Sequence, residues 1–396
     1  MEDSVDAPTL SAEGFDIDRV PVSFKEFLKD NDIDHRIYSI TQLPRYVRWN
    51  TRYPLDEVSV LDQLKKQLDT DNVHQVKGMK GFFAIDLGGK RLVDIPLYKE
   101  HKLFGIDLSS AIAVDALDIE KDDQVLDLCC APGAKLCMIA NLLHGNGTAT
   151  GVDLASHRLA TCRSLLKKYR VGGYVRLFEA DGTQFAVPAP SRLGNVLLHD
   201  DQPPPSKRQK SQESVLQKPF WAPKILRFDP QLPNILYDKV LVDAECTHDG
   251  SIIHILKYDK WGWDTFEKNF MDPNRIRTIC ELQRNLMKQG WSMLKENGIM
   301  VYSTCSLTIK QNEENVAWFL SQHKNAVLET IPCVESLDIR LAAIKHVTQE
   351  ADIQDRINKH CVRFDPFISK TSGFFVARFR KSHHIVTTST AYTEHE

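Results

Sequence analysis

The spacing of apolar residues along the chain changes near residue 101. Before this point, helical spacing predicts helices at 22–31 and at 55–68, the second with Val58 on its apolar side, and an apolar run at 81–86 predicts a strand. After this point, strands of buried character alternate with amphipathic helices. The pattern predicts an α/β fold, in which a small α/β domain precedes a doubly wound, mostly parallel sheet.

The predicted elements of the second part follow one another closely. Strands are predicted at 123–128, 147–153, 174–178, 237–243, 298–303 and 374–379, and helices at 135–143, 156–169, 272–295 and 312–323. The parallel strands of such a sheet end at one edge, and open α/β sheets bind their ligands there. The residues that follow these strands are therefore the first candidates for a functional site.

Composition divides the rest of the chain. We expect a disordered acidic tail at 1–20, a small α/β domain at 21–100, a large domain at 101–381 and a polar tail at 382–396. Within the large domain, the segment 187–236 contains nine prolines and is predicted to be a disordered insertion. Its basic run at 206–210 fits either a solvated linker or a weak nuclear localisation signal.

The overall composition, with 42% hydrophobic and 26% charged residues among 396, is that of an ordinary globular protein. No run approaches the roughly 18 apolar residues of a membrane helix, and the acidic N-terminus favours neither a secretory signal nor a transit peptide. Nine scattered cysteines without zinc spacing predict a reducing compartment, nucleus or cytoplasm. The net charge of −3 does not by itself attract nucleic acid, so local patches of basic residues would have to provide that attraction.

A loop and several acids favour a nucleotide-like ligand. The run Cys129-Cys-Ala-Pro-Gly-Ala-Lys135 separates a strand from a helix, where small residues let a ligand approach the helix N-terminus, although an ordinary turn fits as well. Asp153 ends the second strand, where doubly wound folds bind ribose hydroxyls, and Arg158 follows one helical turn later. Asp181 follows the third strand, where it could meet an adenine edge. Acids at successive strand ends favour one common ligand.

Two cysteines follow the next two strands. Cys246 closes the run Asp243-Ala-Glu-Cys246, and Cys305 lies within Ser303-Thr-Cys-Ser306. A single cysteine is most often a small buried hydrophobe, but two thiols in polar turns at the ligand edge favour chemistry. His248 and His254 are interpreted as loop histidines, and no metal site is predicted, because no further ligand occurs at a suitable spacing.

Taken together, these runs resemble the Nop/Sun family of RNA cytosine-5 methyltransferases. The resemblance rests on the loop at 126–135, on both cysteine runs and on the shorter runs Arg48-Trp-Asn-Thr51, Leu103-Phe-Gly-Ile-Asp-Leu-Ser-Ser110, Asn312-Glu-Glu-Asn315, Phe364-Asp-Pro366 and Gly373-Phe-Phe375. It covers about residues 40–380. It implies a Rossmann-like methyltransferase sheet that is preceded by an RNA-facing domain.

The resemblance implies S-adenosylmethionine as cofactor and methyl transfer to carbon 5 of cytosine in RNA. Cys305 is then the nucleophile that attacks carbon 6, and Cys246 assists product release. From the chemistry, Lys135 would favour the thiolate, and Asp243 would bind the amino group or nitrogen 3 of the base. The implied cofactor-binding residues are Cys129, Cys130, Ala131, Pro132, Gly133, Ala134, Lys135, Asp153, Arg158, Asp181 and Asp243. We expect a monomer. Transfer RNA is the first candidate substrate, and ribosomal RNA is the second.

Three residues depart from the family pattern. Glu245 stands where proline is usual, Ala134 replaces a glycine, and Ile106 stands where glutamine is common. A carboxylate beside Cys246 is expected to raise the pKa of that thiol. A pseudoenzyme that binds RNA or assembles ribosomes is therefore an alternative.

Two further enzyme classes have weaker support. The tripeptide Glu314-Asn-Val316 also occurs in DNA cytosine-5 methyltransferases, but the Pro-Cys nucleophile motif of that class is absent from the sequence. A nicotinamide-dependent dehydrogenase would need a GxGxxG fingerprint, which is absent as well.

Two groups of basic residues are candidates for binding RNA. The first alternates basic with aromatic side chains, which fits either phosphate contact with base stacking or a surface loop: Arg45, Tyr46, Arg48, Trp49, Arg52 and Tyr53. The second group is interpreted as slightly closer to a solvated helix face: Arg275, Arg277, Arg284 and Lys288.

Overall fold

The computed structural model describes residues 15–40, 43–143, 147–190, 218–223, 226 and 235–383, and within them two sheets organise the chain. The smaller sheet is antiparallel, in the order β2-β3-β1-β4, and consists of β1 (Arg45–Trp49), β2 (Val73–Gln75), β3 (Phe82–Ile85) and β4 (Leu103–Gly105). The helices of this part of the chain are α1 (Val22–Asp30), α2 (Glu57–Leu68), α3 (Pro96–Lys99) and α4 (Leu108–Asp115).

Helix α2 shows how the small sheet acquires its core. The helix begins where the Asp56 side chain accepts a hydrogen bond from the Ser59 N–H, at 3.3 Å. Its buried residues are Val60, Leu64 and Leu68, which recur every four positions and pack with the small sheet. Val58 was expected on this side but is 70% exposed, because residues two apart on a helix point in nearly opposite directions.

The larger sheet has eight strands in the order β10-β12-β9-β8-β5-β6-β7, with β11 paired to β12. The strands are β5 (Gln124–Asp127), β6 (Thr148–Asp153), β7 (Val175–Glu179), β8 (Tyr237–Asp243), β9 (Leu294–Thr304), β10 (Ala326–Glu329), β11 (Val362–Phe364) and β12 (Phe374–Lys381). Strands β9, β8, β5, β6 and β7 are parallel, whereas β12 is antiparallel to all three strands with which it pairs, β9, β10 and β11. The predicted doubly wound α/β fold is confirmed, and its strand order reverses between β5 and β8.

Helices cover both faces of this sheet. The remaining helices are α5 (Ala134–Leu142), α6 (Ser156–Lys168), α7 (Ile252–Leu256), α8 (Tyr258–Trp261), α9 (Trp263–Phe270), α10 (Pro273–Met293), α11 (Glu313–Gln322), α12 (Ala351–His360) and α13 (Pro366–Ser369). Val125 of β5 packs with α4, α5 and α6, whereas its neighbour Leu126 packs with α10, α11 and α12. Among the described residues, no helix combines the length and the apolar character needed to cross a membrane.

The N-terminal segment packs in a different place from the one predicted. The expected domain at 21–100 would join α1 to the small sheet, but α1 packs against α7, α8 and α9 instead. We call this group the N-terminal aromatic cluster, and its aromatic members are Phe15, Phe24, Phe27, Tyr38, Tyr258, Trp263, Phe266 and Phe270. The expected tail at 1–20 is corrected at its end, because Val20 is buried in the same cluster.

Two other predicted boundaries also change. The small sheet extends past residue 100, since Leu103 of β4 pairs with Trp49 of β1. Within the predicted insertion at 187–236, Val187 is buried and Trp221 forms a β-bridge with Leu177 of β7, so both residues are part of the fold. The rest of that prediction, and those of the terminal tails, fall largely on 1–14, 191–217, 224–225, 227–234 and 384–396, which lie outside the described residues.

Candidate active site

Four acids line the carboxyl edge of the parallel strands. In spatial order, Asp181 follows β7, and Asp153, Asp127 and Asp243 end β6, β5 and β8. Three of these carboxylates accept a hydrogen bond from the backbone N–H two residues further on, at 2.9 Å for Asp181, 3.0 Å for Asp153 and 3.3 Å for Asp127. The structure thus brings the three sequence-predicted acids to one edge and adds Asp127.

Sequence reasoning misses Asp127, because it is a single acid at the end of an apolar strand. The side chain is buried, and its Oδ2 atom has no hydrogen-bond partner among the described residues. Burial, together with the nearby Asp243, raises the pKa of Asp127 to about 8. Buried polar atoms normally have partners, so this oxygen is a candidate acceptor for a ligand.

Arg158 and Gly133 hold the candidate cofactor loop in place. The Arg158 Nη2 atom donates to the Ala131 carbonyl at 2.9 Å, and its Nη1 atom lies 3.4 Å from Asp153 Oδ2. Gly133 has a φ of 108°, and a Cβ atom at this position would lie 3.0 Å from Cys162 Cα. Arg158 therefore ties the loop to the second acid.

The individual loop residues differ in exposure. Cys130, Ala131 and Gly133 are buried, Cys129, Ala134 and Lys135 are half-buried, and Pro132 is exposed. Asp181 is exposed too, and accepts a second hydrogen bond from the Thr183 hydroxyl at 2.7 Å. Small side chains and an exposed proline leave the loop backbone open to the solvent side of the strand ends.

Lys135 and Asp243 connect this loop to the end of β8. The Lys135 Nζ atom lies 2.7 Å from Asp243 Oδ2, and the Ser303 hydroxyl donates to Asp243 Oδ1 at 2.7 Å. The ammonium also lies 5.1 Å from the centre of the Phe374 ring. Burial alone would lower the pKa of Lys135, but the Asp243 carboxylate outweighs it, and the pKa is raised. Lys135 is therefore a fixed charge at the centre of the edge.

The two predicted thiols are in contact. The Sγ atoms of Cys246 and Cys305 are 3.2 Å apart, although 59 positions separate the residues in sequence. Cys246 is buried, and burial raises its pKa. Cys305 is half-buried, and its pKa is lowered well below that of a free thiol, first by the hydrogen bond from Cys246 and then by His248. One thiol is therefore held protonated and the other favours the thiolate.

His248 lies in a loop, as predicted, but sequence reasoning did not foresee its contact with the thiols. Its Nδ1 atom lies 3.0 Å from Cys305 Sγ and 3.8 Å from Cys246 Sγ. The Cys305 charge raises the pKa of His248 to about 9, so the imidazole carries a proton at neutral pH. Its position two residues after Cys246 could have indicated this contact, because a turn between the two residues can bring the imidazole close to the thiol.

Glu245 does not act on the thiol as expected. Its carboxylate is exposed and accepts a hydrogen bond from Arg275 Nη2 at 2.6 Å. The raised pKa of Cys246 has burial as its main cause, followed by Cys305 and Asp249. The residue that replaces the family's proline therefore faces Arg275, a member of the second basic group, instead of Cys246.

Hydrogen bonds from segments that are distant in sequence hold the loop at 246–250, which we call the thiol loop. The buried Asp249 accepts hydrogen bonds from the Thr247 hydroxyl, from the Ser306 hydroxyl at 2.9 Å and from the Leu307 N–H at 2.6 Å. The Tyr38 hydroxyl of the N-terminal aromatic cluster donates to the Asp249 carbonyl at 2.7 Å. These bonds fix the turn that carries Cys246 and His248.

Two glycines meet beside Cys305. The Gly250 N–H donates to the Cys305 carbonyl at 2.9 Å, and the Gly373 N–H donates to the Gly250 carbonyl at 2.8 Å. A Cβ atom on Gly250 would come within 2.6 Å of both the Cys305 and the Gly373 carbonyl oxygens. The close approach of three backbone segments therefore requires glycine here.

The run 312–315 lies behind the second cysteine turn. Asn312 accepts from the Thr304 hydroxyl at 2.6 Å and donates to the Ser306 carbonyl at 2.8 Å. Glu313 forms a buried ion pair with Arg363, whose Nη1 atom donates to the Leu307 carbonyl at 2.7 Å. The run therefore shapes the turn that carries Cys305, and its own residues do not reach the thiols.

The first basic group does not form the RNA-binding surface that was considered. Arg48 is only 2% exposed, donates to Asn141 Oδ1 at 2.7 Å and stacks on the Phe104 ring at 4.4 Å. Tyr46 and Trp49 are buried as well, whereas Arg45 and Arg52 are exposed. The alternation of side chains along β1 does not by itself explain why Arg48 is buried. Arg48 is buried because the small sheet packs on α5.

In the second basic group, the long side chains mostly lie on neighbours. Arg284 and Lys288 lie 5.0 and 5.4 Å from the centre of the Trp318 ring, and Arg277 donates to Asn274 at 2.6 Å. Arg277 thus has a partner within α10, whereas Arg284 and Lys288 lie on a ring of α11.

Comparison with known proteins places this site in context. The family model described as 16S rRNA methyltransferase RsmB/F matches residues 114–204 and 216–380. The chain is 24% identical over 328 residues to the probable ribosomal RNA small subunit methyltransferase B of Bacillus subtilis, covering 82% of this chain and 57% of that protein. It is 27% identical over 220 residues to human tRNA (cytosine(72)-C(5))-methyltransferase NSUN6, covering 56% of this chain and 37% of that protein. The chain thus spans between about a third and three fifths of the length of these relatives.

Solved structures share the fold. A methyltransferase homologue from Pyrococcus horikoshii superposes with a TM-score of 0.59 at 23% identity, covering 87% of this chain and 88% of that one. The structure of NSun6 from the same organism, solved with SFG, superposes with a TM-score of 0.58 at 17% identity, covering 93% of this chain and 100% of that one.

Proposed function

Because the chain belongs to the RsmB/F, or Nop/Sun, family of RNA methyltransferases, we propose that it transfers a methyl group to carbon 5 of cytosine in RNA. The main support is the pair of thiols, with Cys246 Sγ and Cys305 Sγ 3.2 Å apart beyond the ends of the neighbouring strands β8 and β9. Transfer to carbon 5 needs one thiol that adds to the base and a group that removes a proton afterwards. The paired thiols can fill both roles.

The cofactor of this family is S-adenosylmethionine, which supplies the methyl group on a positively charged sulfur. Its ammonium group, ribose hydroxyls and adenine amine all donate hydrogen bonds, so carboxylates suit it. Asp153, Asp181 and Asp243 offer such acceptors along one edge. The pKa of Asp127 is raised to about 8, so its buried Oδ2, which has no partner among the described residues, becomes a charged acceptor when the carboxyl group ionises beside a cationic ligand. These residues fit the cofactor. In our proposal Asp153 and Asp181 hold its nucleoside, and Arg158 keeps the loop at 129–135 against it.

His248 prepares the nucleophile. Its Nδ1 atom is 3.0 Å from Cys305 Sγ, within reach of the thiol proton. The imidazole accepts that proton, and the resulting imidazolium stays beside the thiolate. Lys135, first expected to favour the thiolate, is paired with Asp243 and contributes through its charge at longer range.

The addition step uses the Cys305 lone pair. The target base must leave its stack to reach the strand ends, and Asp243 then accepts a hydrogen bond from its amino group. The sulfur lone pair forms a bond to carbon 6, and the electrons of the C5=C6 double bond become available at carbon 5. With the cofactor bound, carbon 5 would take the methyl group, and the electrons of the broken sulfur–methyl bond would stay on the sulfur of S-adenosylhomocysteine. Carbon 5 would still carry its proton.

The release step uses Cys246. Bond formation removes the negative charge of Cys305, which is one cause of the raised pKa of Cys246. The imidazolium of His248 remains 3.8 Å from the Cys246 sulfur. Both changes favour a Cys246 thiolate, once its own proton has gone to solvent. This thiolate takes the proton from carbon 5, the C–H electrons restore the C5=C6 double bond, and Cys305 leaves as a thiolate.

Transfer RNA is the substrate we propose, with ribosomal RNA as the second candidate. The name of the human relative specifies a transfer RNA cytosine, whereas the family description and the Bacillus relative specify ribosomal RNA. The chemistry at the thiols is the same for both.

An adduct-trapping experiment tests the proposal. The protein is incubated with S-adenosylmethionine and either total transfer RNA or ribosomal RNA, and denaturing gels report covalent protein–RNA species. We expect Cys246→Ala to accumulate an adduct, because the methylated base cannot lose its proton. We expect Cys305→Ala to form no adduct and no 5-methylcytosine, because the bond to carbon 6 cannot form.

Glu245→Gln is the matched control, because its carboxylate faces Arg275. It should behave like the wild-type protein, and in the Cys246→Ala background it should leave the adduct lifetime unchanged. An adduct with Cys305→Ala instead of Cys246→Ala would reverse the two roles. Absence of methylation by the wild-type protein on either RNA, with cofactor binding intact, would favour the pseudoenzyme.

A further inference from the structure

Three soft donor atoms converge at the thiol pair. Besides the contact of 3.2 Å between the two sulfur atoms, the Nδ1 atom of His248 lies 3.0 Å from one and 3.8 Å from the other. All three donor atoms lie within 4.8 Å of one another. Two of the residues come from the turn after β8 and the third from the turn after β9, so the fold itself assembles the group.

The distances suit a tetrahedral metal ion. Zinc binds cysteine sulfur at about 2.3 Å and histidine nitrogen at about 2.0–2.1 Å, so two ligands of one tetrahedral ion lie about 3.4–3.8 Å apart. Two of the observed separations, 3.0 and 3.2 Å, are a few tenths of an ångström shorter than this range, and the third, 3.8 Å, lies at its upper end. Small side-chain rotations would therefore bring all three atoms to bonding distance of one ion.

The donor set also selects the class of metal. Two sulfurs and one imidazole favour soft or borderline ions such as Zn²⁺, whereas Mg²⁺ and Ca²⁺ prefer oxygen ligands. Catalytic zinc sites commonly have three protein ligands, two Cys and one His among them, and leave a fourth position to water. Cys305 and His248 are half-buried, so such a position would face the open side of the site.

The backbone around the ligands is held without any metal. The Asp249 side chain binds both turns, through the Ser306 hydroxyl at 2.9 Å and the Leu307 N–H at 2.6 Å. The Gly250 N–H donates to the carbonyl of Cys305 itself at 2.9 Å. A preorganised set of ligands loses little conformational freedom when an ion binds.

We propose that Cys246, His248 and Cys305 form a binding site for a soft divalent cation, with Zn²⁺ as the reference ion, and that the bound ion blocks the nucleophile. The ion takes the lone pair that Cys305 would use to attack the base, and the thiol protons pass to solvent. Binding is independent of the proposed methyl transfer, whereas the block rests on it. The same three atoms therefore serve either the reaction or the metal.

Cobalt is the probe, because thiolate ligation gives Co²⁺ a charge-transfer band and tetrahedral geometry gives it visible bands. The full chain is reduced, its free thiols are counted, and Co²⁺ is titrated under argon. We expect one ion per chain, displaced by Zn²⁺ and unaffected by Mg²⁺. Cys246→Ser, His248→Asn and Cys305→Ser should each weaken binding by more than the about 10–100-fold that follows loss of a group that only orients a ligand.

Cys280→Ser is the matched control, because Cys280 is a half-buried thiol on α10 whose Sγ lies beside the Lys310 carbonyl. This variant should keep the wild-type spectrum and affinity. A spectrum that survives in all three ligand variants, or one that disappears in Cys280→Ser, would overturn the proposal. So would a reduced wild-type protein that shows no stoichiometric binding.

The block is measured separately. Zn²⁺ should abolish methyl transfer at the concentration that fills the site, and a chelator should restore it, whereas Mg²⁺ should have no effect. If no RNA is methylated under any condition, the cobalt titration still decides whether the site exists, and the failure concerns the proposed function alone. Methyl transfer that continues at full rate with the site filled would overturn the block.

Discussion

The two halves of the strand-end site are built in different ways. In the cofactor half, Asp127, Asp153 and Asp181 each accept a hydrogen bond from a backbone N–H only two residues away. In the thiol half, the sulfur contact joins residues 59 positions apart, and the Tyr38 hydroxyl reaches the Asp249 carbonyl across 211 positions. Local sequence shapes the first half, and long-range packing shapes the second.

Because of this difference, we expect the two halves to respond differently to substitutions in distant parts of the chain. A turn closed by its own acid keeps its form when distant segments change. The thiol turns instead depend on α11, β11 and the N-terminal aromatic cluster, so substitutions far from the sulfur atoms should reach them. Four predictions test this contrast, beginning with the largest expected effect.

Arg363→Met should break the support of the thiol half. Arg363 and Glu313 are 4% and 0% exposed, and removal of one partner leaves a buried charge uncompensated. We expect a loss of about 3–5 kcal/mol in the free energy of unfolding, measured with urea. Arg380→Met is the control, because its pair with Glu329 is 37% and 26% exposed, and it should lose about 1 kcal/mol or less. Equal losses would contradict the contrast.

Asp153→Asn should weaken the cofactor half alone. Loss of one charged acceptor for a buried ligand group typically changes the binding free energy by about 1–3 kcal/mol, which is roughly 5- to 150-fold in affinity. Calorimetry with S-adenosylmethionine measures this change. The alkylation rate of Cys305 should stay at its wild-type value. A folded variant with unchanged cofactor affinity would refute the assignment of Asp153.

His248→Asn should alter only the thiol half. The pKa of Cys305 is lowered and that of His248 is raised to about 9, so thiolate and imidazolium coexist between the lowered pKa and pH of about 9. In the wild-type protein, Cys305 alkylation by iodoacetamide should therefore change little from pH 7 to 8. In the variant, Cys305 should react up to about tenfold more slowly at pH 7, and its rate should rise more steeply with pH than in the wild-type protein, although the hydrogen bond from Cys246 still lowers its pKa in part.

Peptide mass spectrometry follows this reaction at Cys305 alone. His254→Asn is the control, since burial lowers the pKa of His254 to about 4 and its ring is neutral at pH 7. Identical pH profiles for wild type and His248→Asn would show that the thiolate has another source.

Tyr38→Phe should have the smallest effect. The change removes one hydroxyl that donates to the Asp249 carbonyl at 2.7 Å and leaves the aromatic packing in place. The loss of one buried hydrogen bond predicts about 0.5–1.5 kcal/mol in the free energy of unfolding. The alkylation of Cys305 should deviate measurably from the single rate expected for the wild-type protein, because the loop that carries Cys246 and His248 is held less firmly. The affinity for S-adenosylmethionine should stay constant. A change in cofactor affinity without one at Cys305 would contradict the division into halves.

The sequence was sufficient to place Asp153 and Asp181 at one edge of a mostly parallel sheet. The acids Asp153 and Asp181 follow apolar strands, and that local pattern carries its own meaning. Asp127 was missed because a strand-end acid with an unpartnered oxygen is recognised only by its burial. Both thiols were predicted as a pair by resemblance, whereas their contact follows from the adjacency of β8 and β9 in the sheet.

The errors concern residues whose partners are distant in sequence. His248 was interpreted as a loop residue because nothing local indicates that Cys305 lies 3.0 Å away. Glu245 was expected to act on its neighbour Cys246, but Arg275 turns its carboxylate outwards. Arg48 lies in a run suited to RNA and is instead buried against α5 through Asn141. In each case a long-range partner decides the role.

Trp221 has a consequence for the way in which the large sheet ends. β7 is the outermost strand on its side, and such strands expose backbone groups that can recruit a strand from another molecule and start aggregation. Leu177 in the middle of β7 exchanges both backbone hydrogen bonds with Trp221, at 2.7 and 3.2 Å. The indole ring covers Gly172, where a Cβ atom would come within 2.7 Å of it. Among the described residues, Trp221 thus occupies the backbone groups of Leu177 at this sheet edge, so a strand from another molecule cannot pair with them.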